Sequence, residues 1–580
     1  MSKKHTQRSP LARRNALKMG VAATAATALP AGLGLTSALA KDPPPGPTTP
    51  AFLEPLPVYT AKAAESSLYP PPLEYADTAN GECGRLPHQG WSNWAAQKVY
   101  TLRVKEGMHS FHPFLPTQKV WGYDGIVPGP TFVARYGEPI VVRIHNELPA
   151  DSSGFGSPEI STHLHNLHCA SESDGFTGDY YSPTKSGPTL NGPGGYKDHH
   201  YPNCYASYDR YDASNGDPRE GLGTLWYHDH RMDFTAGNVY RGLAGFYLLF
   251  DHIDSGNEND PNSAALRLPS GVGVYDIPLA IQDKQFDSGG YLAFDQFESK
   301  GQLGNKYLVN GKVQPYFQVK RRKYRFRLLD ASLSRFYELY LTAGGVNQSF
   351  KYIANDGNLL PAPLTMNKVA IGPAERGDIV IDFAQYPAGT QLFLVNRLIQ
   401  TDGRGPEDAL VNVRNGAGDL VSAGVQILRF DVQAGAVVDN SRVPSVLRAL
   451  PPMTLSEVVK TRTFEFNKVN EIWTVNGKIF DPEVVTATPK RGTSEIWVLK
   501  GKGSWHHPVH IHMTEGRILS RNGKAPPAHE QGRKDVYVLK PGEEVRVLLR
   551  FSDFTGKYLM HCHNLTHEDH AMMVRWDIVP

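Results

Sequence analysis

Residues 561–573 read His561-Cys562-His563-Asn564-Leu565-Thr566-His567-Glu568-Asp569-His570-Ala571-Met572-Met573. In a β-strand, residues i and i+2 point to one face about 7 Å apart and the residue between them points to the other. Taken as a strand, His561 and His563 face one way and the Cys562 thiol the other, so one tripeptide can hold a metal on each side. On the sulfur side, His567 follows Cys562 by five residues and Met572 by ten, and His507 of the run His507-Pro508-Val509-His510 supplies a second imidazole. Two imidazoles, one thiolate and a weak axial thioether make the ligand set of a blue-copper electron-transfer site. The neighbouring Met573 is turned away by the same alternation, which leaves Met572 as the expected axial ligand.

Outward from this stretch, the H-x-H spacing recurs at His163-Leu164-His165, His228-Asp229-His230 and His510-Ile511-His512. A lone pair of this kind is usually a solvated strand face. Four pairs are another matter, because residues 253–505 contain none of the 22 histidines. The metal chemistry must therefore be built by the two ends of the chain, with the middle bringing them together. Imidazole suits copper, zinc, nickel or iron, so these eight groups do not by themselves name the metal. Their number matches a cluster of three metals, two held by three nitrogens and one by two, and Cys562 tips the choice toward copper. A zinc hydrolase would instead need an open zinc position and a general base. His168, His506 and His570 adjoin the motifs and read as surface or supporting groups.

Three related passages organise the chain: Trp121-Gly122-Tyr123-Asp124-Gly125 before Pro128-Gly129-Pro130, Val309-Asn310-Gly311-Lys312 before Pro315, and Val475-Asn476-Gly477-Lys478 before Pro482. Alternating or β-branched stretches follow each, such as Ile140–Ile144, Tyr324–Leu328 and Glu495–Leu499. Apolar alternation punctuated by Asn-Gly and Pro-Gly marks strands and turns. A recurrence at about 170 residues is longer than any solenoid period and argues for three β domains of one kind. High Gly (55), Pro (44) and Tyr (27) counts agree with an all-β, turn-rich chain. The expected divisions are an export signal at 1–40, an extended lead-in at 41–90, and domains at 91–251, 252–442 and 443–580.

With Lys+Arg at 60 against Asp+Glu at 58, the formal charge is only +2, which gives no electrostatic reason to expect nucleic acid as a partner. The run Ala12-Arg13-Arg14-Asn15-Ala16-Leu17-Lys18, the Ala/Leu/Gly-rich stretch to Ala40 and the small residues of Ala38-Leu39-Ala40 have the pattern of a cleaved twin-arginine signal. Such a signal engages the twin-arginine export machinery and predicts a periplasmic or extracellular protein. An uncleaved membrane anchor is the competing reading, since the apolar stretch is just long enough to span. Spacing leaves open whether Cys83, Cys169 and Cys204 pair.

The strings HLH, HDH, HPVHIH and HCHNLTHEDHAMM resemble the four signature motifs of multicopper oxidases, and the flanking sequence is similar to the spore-coat laccase and bilirubin oxidase branch. The resemblance implies three cupredoxin-like Greek-key β-barrel or sandwich domains, with four coppers per chain and a trinuclear cluster between the first and third. By motif position, the type 1 copper falls to His507, Cys562, His567 and Met572, and the type 2 copper to His163 and His510. The type 3 pair falls to His165, His228, His230, His512, His561 and His563. Asp174 and Glu568 match family positions for proton relays, against a plainer reading as a turn aspartate and a structural carboxylate.

What the resemblance implies in activity is a laccase-like enzyme: one-electron oxidation of phenols or aromatic amines, coupled to four-electron reduction of dioxygen to water. A reductant docking near the edge of His507 would feed electrons through Cys562 to His561 and His563. The rivals are a metallo-oxidase acting on Cu(I), Fe(II) or Mn(II) ions and a non-catalytic copper-binding envelope protein. Ten methionines with no Met-rich insert speak against a cuprous oxidase, and a complete ligand set speaks against lost catalysis. Substrate choice is expected to lie in loops around His507, including Tyr181–Gly223, and the protein is expected to act as a monomer.

Overall fold

The computed structural model describes residues 46–580 except 151–153, 208–215, 408, 412, 415–419 and 422–423. The export signal expected at 1–40 lies outside the described residues. Within the rest, the same wiring appears three times. The long strands Lys98–His109, Asp276–Lys284 and Val458–Val469 each pair antiparallel with the strand that follows, namely Gln118–Tyr123, Lys306–Val309 and Ile472–Val475. Each also pairs in parallel with a later strand: Ile140–Asn146, Lys323–Asp330 and Thr493–Gly501.

The three punctuation passages sit at matching places in this wiring. Asp124 and Gly125 have φ of 57° and 73°, Asn310 and Gly311 of 48° and 78°, and Asn476 and Gly477 of 53° and 69°. Positive φ at both central residues belongs to type I′ turns, whose twist matches that of the flanking strands; Asn, Asp and Gly tolerate it where bulkier residues do not.

Each of these sheets faces a second one, itself opened by a parallel pair: Gly129–Arg135 with Ala244–Phe250, Tyr316–Val319 with Val425–Val432, and Val485–Ala487 with Met573–Ile578. Parallel neighbours cannot be joined by a tight turn, so long crossover connections are forced on every unit. Apolar residues from both sheets interlock between them: Leu102 and Val104 against Leu164 and Tyr227 in the first unit, Ile277 and Leu279 against Leu339 and Leu341 in the middle one, Phe464 and Trp497 against Val509 and Met560 in the third. The result is the all-β sandwich architecture that the sequence implied.

The described part of the lead-in, residues 46–90, is tied into the sandwiches. Pro55 bridges Tyr316, Ala61 bridges Thr131 and Glu65 bridges Val99; Leu56 is part of the middle core and Cys83 of the first. Tyr181–Gly223, expected as a loop near His507, is not loop throughout its described residues. This stretch contributes the strand Tyr196–Tyr201, buried along its whole length and paired with Ile140–Asn146. Residues of the lead-in and just after it lie over this strand: Cys83 N–H donates to the Tyr196 carbonyl (2.9 Å), Asp198 N–H to Glu82 (3.1 Å), and His200 Nε2 to the Trp94 carbonyl (2.7 Å).

Candidate metal centre

Antiparallel register decides which way each functional side chain points. The strand His507–Ile511 pairs with Gly556–Cys562 so that Val509 opposes Cys562 and His510 opposes His561. Directly opposed residues share a face. His510 and His561 therefore look to one side, while Cys562 looks into the core of the third sandwich. On the other flank His561 opposes Met573, which puts Met573 on the imidazole side and Met572 on the sulfur side. Met572 is fully buried in the same apolar cluster as Cys562, whereas Met573 packs with Phe176, Phe480 and Leu559.

At the sulfur site, Cys562 Sγ lies 3.5 Å from His507 Nδ1 and 3.5 Å from His567 Nδ1. His567 is set by the short helix Leu565–Asp569, and its Nε2 donates to the Lys300 carbonyl (3.1 Å), leaving Nδ1 as the lone-pair nitrogen toward sulfur. Burial pushes the Cys562 thiol up and holds His507 down to about 3 and His567 well below the usual imidazole range. Two neutral imidazoles and a thiol with no cation beside it are suited to a metal, whose charge is what can stabilise the thiolate there. His507 has no exposed edge: it is fully buried between Phe466 and Trp473. Docking at its edge is accordingly corrected. His567 is fully buried as well, packed against Trp473 (centroids 3.8 Å apart) and Trp505 (5.6 Å) and bonded to the backbone of exposed Lys300. Trp473 is pinned in turn by donating to the Ser299 carbonyl (2.6 Å).

On the opposite face, the strand Thr162–His165 pairs with Thr224–Asp229, His163 against His228, and this pairing brings the first sandwich's two H-x-H segments together. The four segments converge. His163 stacks on His512 (3.8 Å between centroids) and His165 on His510 (3.7 Å), and His563 stands 5.3 Å from both His165 and His228. None of the eight rings is more than 1% exposed.

Their outer nitrogens are mostly fixed by oxygen acceptors: His163 Nδ1 by the Asp174 carbonyl, His228 Nδ1 by the Asp229 carbonyl (2.8 Å), His510 Nδ1 by the Asp535 carbonyl (3.0 Å), His512 Nδ1 by Asp174 Oδ2 (2.7 Å) and His165 Nε2 by Asp535 Oδ1 (2.8 Å). The inner nitrogens are not. His163 Nε2, His165 Nδ1, His228 Nε2, His510 Nε2 and both nitrogens of His563 have no hydrogen-bond partner, and Nε2 of His561 lies 3.2 Å from Nε2 of both His230 and His512. Each buried orphan costs about 1–3 kcal/mol, so this many in one place fit a set of metal ligands. Burial and mutual repulsion hold His163, His165, His512, His561 and His563 well below the usual imidazole range, and His228 and His230 down to about 3. Nitrogens within 4.8 Å of one another form the sets His230/His512/His561, His163/His165/His228 and His163/His510/His512.

Two expected acids border this cluster. Asp174 ends the helix Ser171–Asp174, and the turn at Gly175 (φ +89°) is obligatory, since a Cβ there would meet the Thr162 carbonyl at 2.2 Å. Glu568 places Oε2 2.8 Å from His561 Nδ1 and Oε1 3.4 Å from His230 Nδ1. Burial raises both carboxyls above their usual range, as a proton-holding role requires.

Sequence reasoning missed a third acid, Asp535. Besides His165 and His510, it meets Arg376 at 2.9 and 2.5 Å. Burial alone would raise its carboxyl, but the Arg376 guanidinium overrides this and holds it below the usual value. Arg376 belongs to the histidine-free middle sandwich, and no local signal in Lys534-Asp535-Val536 announces the contact. His168 and His506 are buried rather than superficial, and His168 Nε2 bonds Asp553 (2.5 Å). Cys83, Cys169 and Cys204 are buried free thiols.

Models described as multicopper oxidase match residues 104–191 and 451–580. The chain is 34% identical to the bilirubin oxidase of Albifimbria verrucaria, covering 92% of this chain and 82% of that one. It is 32% identical to the laccase of Bacillus subtilis, covering 83% and 94%. Among solved structures it resembles the McoA multicopper oxidase of Aquifex aeolicus with a TM-score of 0.67, 25% identity and coverage of 84% and 97%.

Proposed function

Because the chain belongs to the multicopper oxidase family, and is thus a copper oxidoreductase using dioxygen with four coppers per chain, we propose that it is a laccase-type enzyme. On this reading it takes single electrons from phenols or aromatic amines and reduces dioxygen to water. His507, Cys562, His567 and Met572 hold the type 1 copper. His163 and His510 hold the type 2 copper, and His165, His228, His230, His512, His561 and His563 the type 3 pair. Bound copper supplies one-electron acceptance on the sulfur side and four-electron reduction of dioxygen on the imidazole side.

One observation carries the reading: Cys562 and its two neighbours form an unbroken covalent link between a three-ligand sulfur site and an eight-imidazole cluster on opposite faces of one strand. The surrounding residues do the rest. Trp473 and Trp505 cover His567 and keep the sulfur side dry. Asp174 and Glu568, each against the outer nitrogen of a ligand, hold protons for reduced oxygen. Asp535, clamped by Arg376, fixes His165 in the tautomer that turns Nδ1 inward. The pattern of residues 12–40 supports export of a folded, metal-loaded monomer by the twin-arginine route.

Copper analysis with a visible spectrum, followed by oxygen uptake on phenols, aromatic amines and Cu(I), Fe(II) and Mn(II) salts, tests the proposal. Blue protein that consumes oxygen fastest with the organic reductants is expected. A strong preference for a metal ion would transfer the assignment to a metallo-oxidase, and a colourless, copper-replete protein would end it.

A further inference from the structure

A cavity of about 300 Å³ lies between the middle and third sandwiches, with Phe336, Tyr352 and Glu375 from one side and His506, Glu530 and Lys534 from the other. We propose that it docks a single-ring phenol or aromatic amine against His506, the residue covalently joined to His507; this deepens, and rests on, the oxidase reading above.

His506 is presented to the cavity by a tight fit. A Cβ on Gly405 would lie 2.5 Å from His506 Nδ1, so the 402–407 loop touches one side of the imidazole, and the Phe336 ring stands 5.8 Å away. His506 N–H donates to the Arg404 carbonyl (2.7 Å), which fixes the backbone. Strand alternation turns His507 the opposite way, onto Cys562 Sγ. A ring resting on His506 is therefore one residue from the sulfur site.

Size and charge select the occupant. The volume is at the small end of the roughly 300–1,000 Å³ typical of ligand pockets, which suits one substituted ring and not a multi-ring pigment. The carboxylates in the wall are matched by cations: Glu375 by Lys534 (3.0 Å), Glu530 by Arg521 (2.6 and 2.8 Å), Glu543 by Arg521 (3.1 Å) and Glu338 by Lys368 (3.1 Å). Arg521 serves two carboxylates, but the lining as a whole sets Arg376, Arg521, Lys534 and Lys540 against Glu338, Glu375, Glu530 and Glu543, so a divalent cation finds no net negative charge there. A neutral ring finds the faces of Phe336 and Tyr352, and its hydroxyl or amine finds carboxylate lone pairs to accept its hydrogen.

Oxidation here would remove one electron and the O–H or N–H proton, leaving a neutral ring radical. The electron leaves through the His506–His507 backbone and the proton through the polar wall to solvent. Four such events balance the four electrons and four protons that turn dioxygen into two waters.

The test uses copper-loaded protein with the exposed lining residue Ala370 or the half-buried lining residue Leu398 enlarged, as Ala370→Trp and Leu398→Trp. Calorimetric titration with 4-cyanophenol, a ring resistant to oxidation, should show one saturable site in the parent and none in either variant. KM for 2,6-dimethoxyphenol should rise about tenfold or more in both, with the blue absorption retained as evidence of an intact sulfur site. Undiminished titration and unchanged KM in both variants would overturn the proposal. A parent protein that is blue and binds 4-cyanophenol, yet takes up no oxygen with any phenol, would overturn the oxidase reading instead and leave a ring-binding site.

Discussion

Glu568 touches two ligand imidazoles without being able to replace them, because its oxygens face their outer nitrogens. Glu568→Gln keeps the shape and removes the exchangeable charge. Oxygen consumption should fall by roughly 100-fold, the lower end of general acid–base contributions, while the blue colour stays; loss of colour in the spectrum would show that Glu568 holds the site together. Met572 is a different test. Its fully buried thioether shares the apolar cluster of Cys562, and a weak axial donor lowers the potential of a thiolate-bound copper. Met572→Leu should raise the type 1 potential in a redox titration, and an unchanged value would remove Met572 from the ligand set. The legibility of these residues was uneven. Cys562, Met572 and the H-x-H pairs are local patterns, whereas Asp535 faces His165 across 370 residues of sequence and has no local signature.

At the scale of elements, the three type I′ turns repeat one backbone solution in three surroundings. Gly477 has φ +69° and open space where a Cβ would go, so Gly477→Ala costs only the left-handed conformation, about 1–2 kcal/mol. Gly311 has φ +78°, and its Cβ would also meet the Val127 carbonyl at 2.8 Å. Urea unfolding should therefore show Gly311→Ala as the more destabilising of the two; equal losses would mean that the Val127 backbone yields without resistance. These turns were legible as Asn-Gly punctuation. The strand Tyr196–Tyr201 was not, because its polar Tyr-Lys-Asp-His-His-Tyr sequence reads as an exposed loop until the lead-in is seen to cover it.

For the whole molecule, ionic contacts join the outer sandwiches. Arg533 meets Glu220 and Glu515 (2.5 and 3.0 Å), and His168 bonds Asp553. Burial pushes Glu515 up to about 7 against the pull of Arg533. Its proton is bound more tightly folded than unfolded, so its contribution is fully present below about 4.5 and is lost as pH rises to about 7, on the order of 3 kcal/mol. The His168 pKa is raised as well: burial opposes the charge but the Asp553 carboxylate outweighs it. Its contribution is likewise present below its ordinary value and lost as pH rises through the folded one. Buried imidazoles held neutral, such as His228, His230 and His507, act with the opposite sign, so the Glu515 part is read as a difference. The stability of the parent minus that of Glu515→Gln in thermal melts should fall between pH 5 and pH 8, and a difference independent of pH would remove this role from Glu515.

Ligand types, the threefold wiring and the two-faced tripeptide were decided by sequence alone, because strand alternation and turn chemistry act over a few residues and leave their period in the chain. The tertiary structure decided what no period encodes: that His507 is sealed between Phe466 and Trp473, that Arg376 of the histidine-free middle sandwich anchors Asp535 beside the cluster, and that His506 faces a cavity. Such contacts join residues hundreds of positions apart, and only packing brings them within range of one another.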